Sequence, residues 1–219
     1  MNREELLFNP GDLFMHQQRQ RAVLSLLARE RFFPLAGKRI LEVGCGSGRA
    51  LREFLWFGAP HASLAGVELQ SRRLQEARVF TPHLPLINAD GSRLPFEDAS
   101  FDMVLQFTVF SSILDNDVRR RAASEMLRVL RPGGLVLWYD FHLNPTNQNT
   151  RGISPADIRG LFPNCRYHFQ RLTLAPPLAR LIAPYSPLTC GLLERLRVFN
   201  THYLAAIRPQ QLRSCPESP

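Results

Sequence analysis

The segment ILEVGCGSGRAL, residues 40–51, constrains the fold more than any other part of this 219-residue chain. A short β-rich apolar run stops abruptly at glycine, and after Gly44, Gly46 and Gly48 the residues become helix-forming. Strand, tight turn and helix in that order make a βα unit, whose backbone N–H groups and helix N-terminus face a ligand at the carboxyl edge of a parallel sheet. The spacing restricts the ligand. A dinucleotide turn reads G-x-G-x-x-G, and its third glycine, where helix and strand pack closely, falls here on Arg49. No Gly-Lys-Ser/Thr follows, so the Walker phosphate loop fails too. Glu42, two residues before the first glycine, adds nothing to a pyrophosphate site but favours a cationic ligand that bears an amino group.

The rest of the chain repeats the alternation. KRILEV, SLAGVE, LPLINA, FDMVLQF and GLVLWYDF read as strands, with RALREFLWFG, SRRLQEARVF (begun by a Ser71 cap) and DVRRRAASEMLRVL as helices among them. This pattern predicts parallel βαβ units in an open, doubly wound α/β sheet with helices on both faces. Ahead of it, DLFMHQQRQRAVLSLLARER predicts a helix capped by Asp12; beyond it lie a short helix, SPADIRGLF, and two strands, CRYHFQRLTL and FNTHYLAAI. The expected organisation is an N-terminal helical segment over residues 1–36, one domain over 37–208, and a disordered polar tail over 209–219.

Composition closes off several classes. A hydrophobic fraction of 45% with 21% charged residues suits a soluble domain, and no run approaches the roughly 18 apolar residues of a membrane span. The opening MNREELLFNPGD has no apolar leader, so a cytoplasmic location is expected. Cys45, Cys165, Cys190 and Cys215 are widely spaced, which predicts reduced thiols and no metal site. The net charge of +8 comes almost wholly from arginine, Lys38 being the only lysine, and is weak evidence for an anionic partner.

Two more acids fall at strand ends. Glu68 lies about 20 residues beyond the glycine turn, where a carboxylate binds ribose hydroxyls, and Asp90 follows the third strand, where it can accept an adenine amino proton. With E-x-G-x-G-x-G, Glu68, Asp90, LPFEDASFDMVL and EMLRVLRPGGLVLW in order, residues 38–141 resemble the class I S-adenosylmethionine-dependent methyltransferase superfamily, in its small-molecule, methyltransferase type 11-like branch. The resemblance implies a seven-stranded Rossmann-like sheet with its last strand antiparallel, and S-adenosyl-L-methionine as cofactor. It sets methionine and ribose along Glu42, Gly44, Cys45, Gly46, Ser47 and Gly48, the ribose hydroxyls on Glu68, and adenine between Leu69, Asp90 and Gly91. Gln106 and Phe107 approach from the fourth strand.

Methyl transfer from a sulfonium needs positioning and exclusion of water, and a base only if the acceptor loses a proton. After the fourth strand the chain has FTVFSSILD instead of an Asn/Asp-Pro-Pro-Tyr/Phe loop, and it has no Pro-Cys pair, so base methylation of DNA is disfavoured and nucleic acid is not the expected partner. Ser111, Ser112, Asp115, Asp140 and His142 fall at the acceptor side; of these, Asp140 and His142 are the catalytic candidates, His142 as base. Residues 175–197, interrupted by four prolines, are expected to hang over the site as a lid. Their leucines and Tyr185 suit a small-molecule or lipid-linked acceptor with a hydroxyl or similar nucleophile. Arg180, Arg195 and Arg197 suit an acidic headgroup, which leaves peripheral membrane contact open. The competing readings are an RNA or protein methyltransferase, a non-catalytic S-adenosylmethionine-binding module and an NAD-dependent oxidoreductase.

Overall fold

All four residues of strand β1 (Ile40–Val43) are buried, as a strand covered by helices on both faces requires. In the computed structural model, which describes residues 9–143 and 150–210, β1 pairs in parallel with β2 (Leu64–Glu68) and β4 (Phe101–Phe107). The sheet continues through β3 (Leu86–Asn88) on one side and β5 (Leu130–Phe141) on the other. The final strand β7 (Asn200–Pro209) then inserts antiparallel between β5 and β6 (Cys165–Leu174). The seven-stranded order is β3-β2-β1-β4-β5-β7-β6, a doubly wound Rossmann-like sheet. Because β7 opposes both neighbours, β6 runs parallel to β1–β5 and ends at the same sheet edge.

Helices α1 (Pro10–Arg29), α2 (Arg49–Trp56) and α3 (Ser71–Phe80) cover one face, burying Leu27, Phe54 and Leu74 against a layer that includes Met103, Leu105 and Leu137. On the other face α4 (Asn116–Arg128) and α5 (Pro155–Leu161) bury Met126 and Ile158 in the core of Val104, Val136 and Trp138. Two short helices, α6 (Pro176–Ile182) and α7 (Pro187–Leu196), link β6 to β7 and share a small third core with Phe14 and Leu174. Among the described residues no helix is long and apolar enough to cross a membrane.

Several boundaries differ from expectation for local reasons. Asn9, not Asp12, caps α1: its Oδ1 accepts from the N–H groups of Gly11 at 2.9 Å and Asp12 at 3.4 Å, and Pro10 occupies the first turn, where no N–H is needed. Asp12 instead holds Arg180 of α6 at 3.0 Å. Ser71 is the first residue of α3, and its hydroxyl donates to Asn88 Oδ1 at 2.9 Å, so it does not cap. Strand β5 begins at Leu130 and carries RPGG through an irregularity in its register with β4. Prolines 176, 177 and 187 open α6 and α7. Residues 211–219, with Cys215 and most of the expected tail, lie outside the described residues, as do residues 1–8 of the opening; β7 itself extends to Pro209. The three described cysteines are free and buried.

Candidate cofactor and acceptor site

The glycine turn is left-handed at every glycine, with φ of 73°, 55° and 72° at Gly44, Gly46 and Gly48, a conformation that carries a penalty for any residue with a Cβ. A Cβ at Gly44 would stand 2.4 Å from Val109 Cγ2, and one at Gly46 2.9 Å from an Arg73 guanidinium nitrogen. The turn is hooked to β2: the N–H groups of Gly44 and Cys45 both donate to Val67 O, at 2.8 and 2.9 Å. Gly46 N–H donates to Glu68 Oε2 at 2.8 Å, and Gln70 N–H to Glu68 Oε1 at 2.9 Å. Each Glu68 oxygen retains a further acceptor site for a ligand hydroxyl.

Neighbouring strand ends converge on the turn. Asn88 donates to the carbonyls of Glu68 and Leu69 at 2.7 and 2.9 Å, locking β3 to the exit of β2. Gly91 lies so close to Val43 that a Cβ there would be 2.9 Å from Val43 Cγ1, which sets Asp90 and Gly91 beside the end of β1. Asp90 is exposed and accepts from Ser92 N–H at 2.8 Å; Leu69 is also exposed. Cys45 is buried, and burial together with Glu42 and Glu68 pushes its thiol far up, so it stays protonated. The Ser47 carbonyl accepts from Arg52 at 3.0 Å.

Glu42 is 3% exposed, and its Oε2 has no hydrogen-bond partner among the described residues. Burial raises its pKa well above the ordinary carboxylate value, the nearby Glu53 raises it further, and the Leu51 N–H and Arg19 partly offset both. Glu53 in turn receives the Arg19 guanidinium from α1 and lies 3.5 Å from His16 Nδ1. Arg19 also sits over the rings of Phe107 and Tyr139 at 5.5 and 5.6 Å. Burial, then Arg19, brings His16 down to about 4. The sequence pattern does not encode this cluster; its trace there is Glu53, an acid on the buried face of α2 beside Ala50, Leu51 and Phe54.

At the acceptor side, β4 sends successive side chains to opposite faces. Gln106 donates to Asp140 Oδ2 at 2.6 Å, while Phe107 packs edge-on against Tyr139 at 5.7 Å on the α1 face. Asp140 is almost wholly buried and also accepts from Ser111 N–H at 3.1 Å and Phe141 N–H at 2.8 Å. Burial raises its pKa against these hydrogen bonds. Ser112 is exposed, and Asp115 caps α4 by accepting from Asp117 and Val118 N–H at 2.7 and 3.1 Å. His142 is half-buried, edge-on to Tyr203 at 5.1 Å, with no partner for Nδ1 among the described residues. Burial and Arg171 lower its pKa, which keeps the ring neutral. A second histidine, His202, pairs across from Phe141 and stacks on Tyr139 at 4.7 Å; burial brings it down to about 3.

A parallel sheet closed by one antiparallel strand, with a three-glycine turn set between buried carboxylates, is the arrangement that the resemblance to the class I S-adenosylmethionine-dependent methyltransferases implies. The family model described as "Methyltransferase domain" matches residues 41–138 of the chain. It is 38% identical over 122 residues to a phthiotriol/phenolphthiotriol dimycocerosates methyltransferase of Mycobacterium ulcerans, covering 52% of this chain and 41% of that protein. With a demethylmenaquinone methyltransferase of Clavibacter sepedonicus it shares 29% identity over 155 residues, covering 68% and 54%. The chain thus spans about half or less of the length of these curated relatives. The crystal structure of PH0226 from Pyrococcus horikoshii superposes with a TM-score of 0.64 at 15% identity, covering 89% of this chain and 91% of that one, which is a likeness of fold.

Proposed function

We propose that this chain is an S-adenosylmethionine-dependent methyltransferase that modifies a hydroxyl or similar nucleophile on a small-molecule or lipid-linked acceptor. The observation that carries the reading is the unpartnered oxygen of buried Glu42 beside a glycine turn that also engages Glu68. A buried acceptor without a donor is costly, and an ammonium group from a bound ligand would satisfy it. The residues present fit the cofactor: Glu42 for the amino group, the Cβ-free turn for close backbone approach, Glu68 for the ribose hydroxyls, and the Leu69, Asp90 and Gly91 edge for the adenine. Bound there, S-adenosylmethionine would supply an electrophilic methyl group.

Asp140 is a positioning residue on this reading, since three donors already fix its carboxylate and it in turn orients Gln106 and the turn at Ser111. His142 is the proton acceptor, with a neutral ring and a vacant Nδ1. Residues 37–208 form the methyltransferase domain, with 175–197 bordering the acceptor. A lipid-linked or quinone-like acceptor is supported by the names of the relatives, which are methyltransferases of lipids and of demethylmenaquinone. Incubation with labelled S-adenosylmethionine and separated cell extracts tests the proposal. Label is expected in lipid or small-molecule fractions; label confined to RNA or protein would overturn the acceptor class.

A further inference from the structure

Helix α7 is amphipathic in the wrong sense for a helix that merely caps a core. Its small inward side buries Cys190, whereas Leu188, Leu192 and Leu196, spaced four apart, form a stripe turned to solvent. Leu188 is 83% exposed, and Tyr185, in the turn before the helix, 87%. Of the fifteen large apolar side chains exposed among the described residues, seven lie between 181 and 199, so the concentration is local and not the usual scatter of single exposed leucines.

Arginines rim the same face. A groove of about 850 Å³ runs between α1, β6 and α7, and Arg21, Arg171, Arg195 and Arg197 reach its lining. Arg21, Arg195 and Arg197 are exposed and have no acidic partner among the described residues. Arg171 is spent on the backbone carbonyls of Asn200 and Val198, at 3.0 and 3.4 Å. The one acid at the groove, Glu194, turns its carboxylate inward to accept from Thr173 N–H at 2.8 Å. The platform is firmly mounted: a Cβ on Gly11 of α1 would fall 2.5 Å from Arg180 Cα, so the two helices meet backbone to backbone, and the Asp12–Arg180 ion pair braces them.

We propose that this face docks on a bilayer that carries anionic phospholipid, the leucine stripe and Tyr185 entering the acyl boundary while Arg21, Arg195 and Arg197 meet headgroup phosphates. Charge complementarity selects this occupant: an apolar stripe alone would suit a protein groove, but unpaired guanidinium groups on its rim suit a surface dense in phosphates. Since β6 ends at the edge where the glycine turn lies, a docked molecule brings that edge toward the membrane. Docking does not require that the methyl-transfer reading be correct, and it is measured with no methyl donor present.

The test is co-sedimentation of the full chain with vesicles of phosphatidylcholine alone or with roughly one-third phosphatidylglycerol, at low and high salt. Binding is expected only with phosphatidylglycerol and is weakened by salt. Arg21→Gln/Arg195→Gln/Arg197→Gln should weaken it by roughly a hundredfold, at about fivefold for each arginine near a charged surface. Leu188→Ser/Leu192→Ser should abolish it with an unchanged melting temperature, because both side chains are already exposed. Failure of the parent protein to bind either vesicle would overturn the proposal, as would parent-like binding by both variants. A concentration-dependent dimer that the leucine variant loses, without vesicle binding by the parent, would assign the face to a second copy.

Discussion

Replacing Glu42 with Gln should make the free protein more stable and its cofactor binding weaker, opposite changes that a purely structural residue does not produce. The side chain is 3% exposed, lacks a partner at Oε2 and neighbours a second carboxylate, Glu53, so ionising it in the folded state is unfavourable. Its folded pKa lies above the unfolded value, and the folded protein therefore binds more protons across the interval between them. Stability conferred by that proton is complete below the unfolded pKa and is lost as pH rises through the folded one, at up to about 1.4 kcal/mol per pH unit for one group. Gln has the same shape without that ionisation. In urea unfolding across pH 4 to 8, read at roughly half-unit steps, parent and variant should coincide at the acid end and diverge upward in favour of the variant. Cofactor binding requires the ionised carboxylate, so parent affinity should rise with pH through the same interval. The variant should lose that dependence together with a charge-assisted hydrogen bond of about 1.5–3 kcal/mol, or roughly ten- to a hundredfold in Kd. A variant that is less stable than its parent at neutral pH, or that binds the cofactor equally well, would show that Glu42 is not a buried, unpaired ligand for the cofactor's amino group.

Glu68→Ala should weaken binding by about 2–4 kcal/mol and also lower stability, because the N–H groups of Gly46 and Gln70 lose their acceptor; calorimetry and thermal melting read the two effects separately. His202, held down to about 3, and His16, to about 4, are neutral in the fold. Their contribution is complete above about pH 6.5 and lost as pH falls toward the folded values, so His202→Phe should lessen the acid-side slope of stability by about 1.4 kcal/mol per unit. His142→Ala should reduce kcat by roughly a hundredfold or more with cofactor affinity unchanged; equal turnover in the variant would remove it as the base.

Much of this architecture can be read from residue pattern alone, because the strands of the parallel region are apolar runs separated by helical patterns, and β1, β2 and β3 run into Gly44, Glu68 and Asp90. The turn at 44–48 and the carboxylates Glu42, Glu68 and Asp90 lie at strand ends, where topology alone brings them together. Local competition moved the boundaries: Asn9 precedes a proline that prefers the first helical turn, and so takes the cap from Asp12. The His16–Arg19–Glu53 cluster depends on how α1 lies across α2 and β5, a tertiary choice that helix periodicity does not encode. His202 was similarly hidden inside FNTHYLAAI, a strand whose partner, β5, lies far away in the chain. The leucines of 175–197 were visible as apolar, but their outward direction depends on which side of α7 meets Phe14 and Leu174.

Isothermal titration of the free protein with S-adenosylmethionine and S-adenosylhomocysteine, paired with thermal melting, asks whether the glycine turn and its carboxylates hold this cofactor. Saturable binding of both is expected at one site per chain. At a ligand concentration about a hundred times Kd, the gain of about 2.7 kcal/mol should raise Tm by roughly 5–10 °C for a domain of this size. No heat and no shift with either ligand, or a response to NADH in their place, would contradict that assignment of the turn.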